Sequence, residues 1–201
     1  MRDEIEYFKA AFAQAAASLN RVDDPYLAAV ADGAGLLIEA FEAGRKVFVF
    51  GNGGSAADAQ HIAAELVGRF SQDRPPLSVV ALATNPALLT AWSNDKGYED
   101  ALARELSALG QPGDVAWGIS TSGSSPNVLG ALRSARALGL RTLGLTGTSG
   151  GGMRQYCDVL IAAPATDTPR VQELHVVTYH AICALIEHRL FSGRGGGPGK
   201  A

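Results

Sequence analysis

Five hydroxyl side chains fall within one six-residue segment, residues 120–125 (STSGSS), which Pro126 follows. Pro126 suits the first turn of a helix, and Ser125 suits the residue that caps it. Hydroxyls and free backbone N–H groups would then converge at a helix N-terminus, whose partial positive charge favours an anion. Helix capping alone would explain one serine, so the segment predicts a phosphate-binding turn. No Gly-Lys-Ser/Thr follows, and nucleotide hydrolysis is therefore not indicated.

A second turn, residues 51–56 (GNGGSA), matches the dinucleotide-binding pattern G-x-G-x-x-A. A dinucleotide site also needs an acidic residue at the end of the following strand, where it binds the ribose hydroxyls. The next apolar run ends in residues 81–85 (ALATN), which contain no carboxylate. We therefore expect no nicotinamide cofactor. A turn that needs glycine only for packing is the alternative, but it leaves Asn52 and Ser55 unexplained.

His61 and Glu65 lie four residues apart on a helix predicted over residues 58–70. This spacing places both side chains on one face of the helix. A His–Glu pair is a usable half of a zinc site, although a solvated hydrogen bond is the commoner role of such a pair. The surrounding positions are mostly apolar, so the carboxylate should be partly buried and should need partners.

The last predicted helix, residues 169–191, carries three of the four histidines. Gln172 and His180 are eight residues apart, about 12 Å of helix, so one ion reaches both only if the two side chains lean inward. Gln172 with His175 is the closer pair. The spacing leaves His175 and His180 as alternatives, and an ordinary surface histidine is the alternative for each.

Five short apolar runs, each about a helix length from the next, predict the elements that position these residues. The predicted strands are residues 46–50, 77–82, 114–119, 141–145 and 159–162. Continuous apolar runs that alternate with helices indicate parallel strands buried on both faces, and ligands of such a sheet bind beyond the carboxyl ends of the strands. Two helices precede them, over about residues 4–18 and 25–43, with Gly44 ending the second. The fold class is therefore α/β, a doubly wound five-stranded parallel sheet with an N-terminal helical pair available for oligomerisation.

Composition excludes several classes of partner. The net charge of −3 and the lack of a basic run argue against nucleic-acid binding. The chain begins with an acidic segment and has no run of 18 apolar residues, so we expect neither a signal peptide nor a membrane helix, and a cytoplasmic location. We expect one domain over residues 1–191 and a glycine-rich disordered tail over residues 192–201.

With these elements in place, the chain resembles the phosphoheptose isomerases, a group of sugar isomerase (SIS) domain proteins. The resemblance runs over residues 5–191. It is carried by residues 51–61 (GNGGSAADAQH) with Glu65, by Asp73-Arg74-Pro75, by Asn94-Asp95, by residues 120–123 (STSG) and by residues 168–175 (TPRVQELH). It implies a flavodoxin-like α/β/α sandwich and a homotetramer with active sites between subunits.

The resemblance also implies the role of each site residue. The zinc ligands would be His61, Glu65, Gln172 and His180. Glu65 and His180 would be the catalytic residues. Phosphate contacts would be Ser120, Thr121, Ser122 and Ser125, and further substrate contacts would be Asn52, Gly53, Gly54, Asn94 and Asp95, together with Glu65 and Gln172.

The implied reaction converts D-sedoheptulose 7-phosphate into D-glycero-D-manno-heptose 7-phosphate. This is the first step in the synthesis of nucleotide-activated heptoses, and lipopolysaccharide synthesis is one pathway that uses them. Two other functions stay open. A sister group with the same fold acts as a partner protein of the replication initiator DnaA, and a sugar-phosphate-sensing regulatory domain would bind without turnover. Residues 167–170 (DTPR) favour the isomerase, because alanine is associated with the proline position in the sister group.

Overall fold

The computed structural model of the chain describes residues 2–192, so all of the predicted tail except Ser192 lies outside the described residues. All five predicted strands are present, and every pairing is parallel, in the flavodoxin-like order β2-β1-β3-β4-β5. The strands are β1 (Val47–Phe50), β2 (Val79–Ala81), β3 (Val115–Ser120), β4 (Arg141–Gly147) and β5 (Val159–Ala163). Within the sheet, Val49 of β1 pairs with Ala81 of β2 on one side and with Trp117 of β3 on the other.

Seven α-helices lie within residues 2–192. They are α1 (Arg2–Leu19), α2 (Asp24–Glu42), α3 (Gly54–Val67), α4 (Pro86–Lys96), α5 (Ala101–Leu109), α6 (Pro126–Ala137) and α7 (Thr168–Phe191). A short 3-10 turn at Tyr98–Asp100 joins α4 to α5, and another at Gly151–Gln155 lies between β4 and β5. The helix α3 begins four residues before its predicted start at Asp58. None of these helices is both long enough and apolar enough to cross a lipid bilayer.

Side chains alternate across β1 between two fully buried cores, which makes the molecule a three-layer sandwich. Val47 and Val49 face a core built with α2, α3 and α7. Phe48 and Phe50 face a second core built with α5 and α6. Burial on both faces explains why the strands are continuous apolar runs in the sequence.

The two N-terminal helices differ in how far they are buried. Asp23 caps α2 by accepting a hydrogen bond from the Tyr26 N–H (3.0 Å), and Gly44 ends this helix at φ +67, as predicted. On α1, by contrast, the side chains of Ile5, Phe8 and Phe12 are 50%, 59% and 77% exposed. The N-terminal helix therefore presents an apolar stripe on the outside of this chain.

Candidate active site

The two predicted turns lie side by side at the carboxyl edge of the sheet. The turns follow β1 and β3, which are neighbouring strands. After the first turn the chain continues into α3 on one face of the sheet, and after the second turn it continues into α6 on the opposite face. Such a switch point is where an open α/β sheet binds its ligands. Gly51 allows the first turn to lie close to the end of β3, because a Cβ at this position would lie 2.8 Å from the Ile119 carbonyl oxygen and 2.7 Å from the Ser55 Cβ.

Three serine hydroxyls of the second turn converge at the N-terminus of α6. The Ser120 Oγ lies 2.9 Å from the Ser125 Oγ and 3.4 Å from the Ser122 Oγ. Ser125 occupies the capping position, but its side chain makes no capping hydrogen bond to α6 among the described residues. Gly123 adopts φ +66, and a Cβ there would collide with the backbone of Gly150. Helix capping therefore does not account for the Ser125 hydroxyl, and the anion site at this helix N-terminus stays a prediction.

A pair of asparagine amides joins the glycine-rich turn to α6. The Asn52 Nδ2 donates to the Asn127 Oδ1, and the Asn127 Nδ2 donates to the Asn52 Oδ1, each at 2.8 Å. The Tyr98 hydroxyl also donates to the Asn52 Oδ1 (2.7 Å). The sequence assigned no role to Asn127 or Tyr98, although Asn127 directly follows the phosphate segment and Pro126.

Three of the four predicted zinc ligands meet between α3 and α7. The candidate ligand atoms of His61, Glu65 and His180 all lie within 4.8 Å of one another. The His61 Nε2 lies 2.9 Å from the Glu65 Oε1, and the rings of His61 and His180 meet edge to face at 5.1 Å. The side chains of His61 and Glu65 are 44% and 21% exposed, so this cluster is open to ligands.

His175, the alternative that helical spacing left open, lies elsewhere. Its side chain is fully buried. Burial lowers the pKa of His175 to about 4, against a smaller opposite effect of the Thr146 backbone. A neutral, buried imidazole belongs to the core, and the structure places His180 beside His61 and Glu65 instead.

Tyr179 and Asp58 orient His61, and sequence reasoning missed both. The Tyr179 hydroxyl lies 2.9 Å from the His61 Nδ1 and donates to the Asp58 Oδ1 at 3.4 Å. Burial raises the pKa of Asp58, and the Tyr179 hydrogen bond and the nearby His61 oppose this shift. A hydroxyl that donates to Asp58 accepts from the Nδ1–H of His61. The lone pair of the His61 Nε2 then faces the Glu65 carboxylate.

The donor set of this cluster fits a divalent metal. In the tautomer whose Nδ1–H donates to Tyr179, the His61 Nε2 and the Glu65 Oε1 are two acceptor atoms 2.9 Å apart, which a cation would hold together favourably. Two imidazoles and a carboxylate are ordinary zinc ligands, and a metal-binding histidine commonly donates its other N–H to an oxygen, as His61 does. The fourth predicted ligand, Gln172, contacts Gly54 at the start of α3, where any Cβ would collide with the glutamine amide.

Asn94 and Asp95 lie on the exposed surface of α4, and the Asn94 Nδ2 donates to the Asp95 Oδ1 at 3.0 Å. Their contact with substrate stays a prediction. On the same helix, the Trp92 indole donates to Asp100 (3.1 Å) and packs under the Arg104 guanidinium. This side of the chain holds a cavity of about 600 Å³ between α4, α5 and α6, and its lining includes none of the His–Glu–His cluster.

Comparison with known proteins gives a consistent result. The SIS domain family model matches residues 10–147. A phosphoheptose isomerase of Burkholderia pseudomallei is 52% identical over 169 residues, which are 84% of this chain and 86% of the relative. The solved structure of the phosphoheptose isomerase GmhA from Neisseria gonorrhoeae superposes with a TM-score of 0.85 at 37% identity, covering 90% of this chain and 97% of that one. A phosphoheptose isomerase from Francisella tularensis superposes with a TM-score of 0.83 at 33% identity, covering 92% and 97%.

Proposed function

Because the chain belongs to the phosphoheptose isomerases, which are SIS-domain aldose–ketose isomerases, we propose that it converts D-sedoheptulose 7-phosphate into D-glycero-D-manno-heptose 7-phosphate. The observation that carries the proposal is that the helix with His61 and Glu65 and the serine-lined helix N-terminus follow the neighbouring strands β1 and β3, while His180 joins the His–Glu–His cluster from α7. A cluster able to move protons and a cradle for a remote phosphate are the two parts that a sugar-phosphate isomerase needs.

The His–Glu–His cluster carries out the proton transfer. Isomerisation removes a proton from C1 of the ketose, passes through an enediolate and delivers a proton to C2. Glu65 is the base that takes and returns this proton, since its carboxylate is partly exposed beside His61. His180 exchanges protons with the sugar oxygens. Removal of a general acid or base of this kind costs about 10²- to 10⁴-fold in rate.

Zinc is the proposed metal, held by His61, Glu65, Gln172 and His180. When bound, it would polarise and orient the sugar oxygens. The hydrogen bonds from His61 through Tyr179 to Asp58 orient the imidazole that would bind it. Gln172 would complete the set from the first turns of α7.

The phosphate turn holds the far end of the substrate. The proposed contacts are Ser120, Thr121, Ser122 and Ser125, with Asn52, Gly53, Gly54, Asn94 and Asp95 on the sugar. Binding energy at the unreactive phosphate positions C1 and C2 at the cluster, which raises the rate without changing the chemistry. The product would feed the synthesis of nucleotide-activated heptoses in the cytoplasm.

We also propose a homotetramer. The apolar stripe of Ile5, Phe8 and Phe12 on α1 is exposed in the single chain, and a second copy would bury it. The open side of the His–Glu–His cluster, where His61 is 44% exposed, would then lie at a subunit interface.

The variant Glu65→Gln tests the assignment of the base. The amide keeps the shape of the side chain but cannot accept a proton from carbon, so we expect substrate binding to persist and turnover to fall at least about a hundredfold. Calorimetry would measure substrate binding, and NMR of the sugar would measure turnover. Glu42→Gln, an exposed glutamate on α2, is the matched control. A Glu65→Gln enzyme with the wild-type rate would refute the assignment.

A further inference from the structure

A carboxylate with no role in the proposed reaction is fully buried at the far end of α7. Glu187 accepts hydrogen bonds from the backbone N–H groups of Phe70, Ser71 and Gln72 at 2.8, 2.9 and 2.9 Å, and from the Ser71 hydroxyl at 3.0 Å. Arg74 Nε donates the fifth, at 3.0 Å. Burial alone would raise the pKa of Glu187, but the hydrogen bonds from Phe70, Ser71 and Gln72 hold it below its ordinary value.

Arg74 continues this network to the helix that carries Glu65. Its side chain is 1% exposed. The Nη1 donates to the Leu66 carbonyl oxygen (2.7 Å), and the Nη2 donates to the carbonyl oxygen of Glu65 (2.8 Å). These carbonyls belong to the last turn of α3, which has no helical N–H partners. One guanidinium therefore fixes the end of α3 to the buried carboxylate of α7.

The same network reaches His180 by a second route. Glu187 lies seven residues after His180, two turns along the same face of α7. It binds the backbone of Phe70, and the Phe70 ring packs on the His180 ring with centroids 5.5 Å apart. Glu187 is thus connected to Glu65 through Arg74 and to His180 through Phe70.

We propose that Glu187 and Arg74 form a positioning pair, which sets the register of α3 against α7 and so holds His61, Glu65 and His180 in the geometry for metal and proton transfer. This inference rests on the proposed function. A buried ion pair is a poor source of stability, because desolvation offsets its attraction. The pair instead fixes orientation, because the planar guanidinium of Arg74 binds Glu187 and the carbonyl oxygens of Glu65 and Leu66 at fixed angles.

The charge-conserving variant Arg74→Lys tests the proposal. An ammonium group cannot bind Glu187 and the carbonyls of Glu65 and Leu66 in the geometry of the guanidinium. We expect zinc affinity, measured by chelator competition, to fall about tenfold or more. We expect kcat to fall while KM for the sugar phosphate stays within about twofold, because the phosphate turn lies on other elements. The imidazole NMR resonances of His61 and His180 should shift in the metal-free protein.

The matched control is Arg141→Lys, an inter-element Arg–Glu pair on the surface, where Arg141 donates to Glu39 at 2.8 Å. It should leave zinc affinity, kcat and both imidazole resonances unchanged. The positioning role is wrong if Arg74→Lys lowers only Tm and keeps wild-type zinc affinity and imidazole resonances. If the wild type binds zinc but does not isomerise the sugar phosphate, the proposed reaction fails while zinc affinity still decides the role of the pair.

A second variant covers the case in which Arg74→Lys does not fold. Phe70→Leu removes the ring that packs on His180 but keeps the backbone N–H that binds Glu187. We expect the His180 resonance to shift and kcat to fall, with the Glu187–Arg74 pair intact. An unchanged His180 resonance together with an unchanged kcat would overturn the positioning of His180 by the pair through Phe70.

Discussion

Both ring nitrogens of His61 have a neighbour. One faces the groups proposed to bind metal and transfer protons, and the other faces a group that orients the ring. The Nε2 faces Glu65, and the Nδ1 faces the Tyr179 hydroxyl. The sequence could predict the first contact, because four residues on one helix place two side chains together. It could not predict the second, because Tyr179 reaches His61 only through the packing of α7 on α3.

Removing the Tyr179 hydroxyl should weaken zinc binding. In Tyr179→Phe, the His61 imidazole loses the partner that fixes its tautomer, and we expect zinc affinity to fall by about 10- to 100-fold with the fold intact. Chelator competition measures the affinity, and circular dichroism checks the fold. Tyr156→Phe is the control, because its hydroxyl makes no hydrogen bond within residues 2–192. Equal zinc affinity in the two variants would remove Tyr179 from the site.

His175 should make folding sensitive to acid. The unfolded chain protonates this histidine near pH 6.5, but the folded chain does so only near pH 4, because burial lowers the pKa to about 4. Its contribution to stability is therefore complete above pH 6.5 and is lost as the pH falls toward 4. Relative to His175→Leu, the wild type should lose about 2–3 kcal/mol between pH 7 and pH 4.5.

Urea unfolding of metal-free protein at the two pH values measures this difference. The other ionisable groups are present in both proteins, so their effects cancel in the comparison. Parallel losses of stability in wild type and His175→Leu would contradict the burial argument.

At the scale of elements, α3 and α7 lie side by side in one register. Gly54 lies against Gln172, His61 lies beside His180, and the loop after α3 is held by Glu187. The apolar runs predicted all five strands because burial on both faces leaves little choice of residue. The start of α3 at Gly54 was not predicted, because the chain enters this helix through Gly53 at φ +53 and tertiary contacts select that path. The spacing also did not separate α4 from α5, which Gly97 divides at φ +95.

Two helix starts should respond oppositely to loss of a side-chain oxygen. Asp23 caps α2, whereas the Ser125 hydroxyl faces the Ser120 hydroxyl at the start of α6. Asp23→Ala should cost about 1 kcal/mol of stability and leave KM unchanged. Ser125→Ala should change stability by less than about 0.5 kcal/mol and raise KM for the sugar phosphate about tenfold, because a hydrogen bond to a charged phosphate is lost.

Thermal unfolding and steady-state kinetics of both variants measure these effects. A Ser125→Ala protein that is destabilised like Asp23→Ala, with an unchanged KM, would show that the serine serves only the helix.

At the scale of the whole molecule, the apolar stripe on α1 should govern assembly. Phe12 is 77% exposed, and Phe12→Asp places a charge where a second copy is proposed to pack. We expect the variant to sediment as a smaller species than the wild type. Ala10→Asp is the control, because Ala10 is exposed on α1 but lies on the face of the helix opposite to the stripe of Ile5, Phe8 and Phe12. Unchanged sedimentation of Phe12→Asp would place the interface elsewhere.

The central claim is tested most directly by incubating the purified protein with D-sedoheptulose 7-phosphate, with and without added zinc, and following the sugar by NMR. We predict conversion to D-glycero-D-manno-heptose 7-phosphate at a rate that rises with zinc and is lost on chelation. A folded, zinc-loaded protein that leaves the ketose unchanged would contradict the account. A pull-down with the initiator DnaA would then test the non-enzymatic role of the sister group, for which catalysis by Glu65 and His180 is not needed.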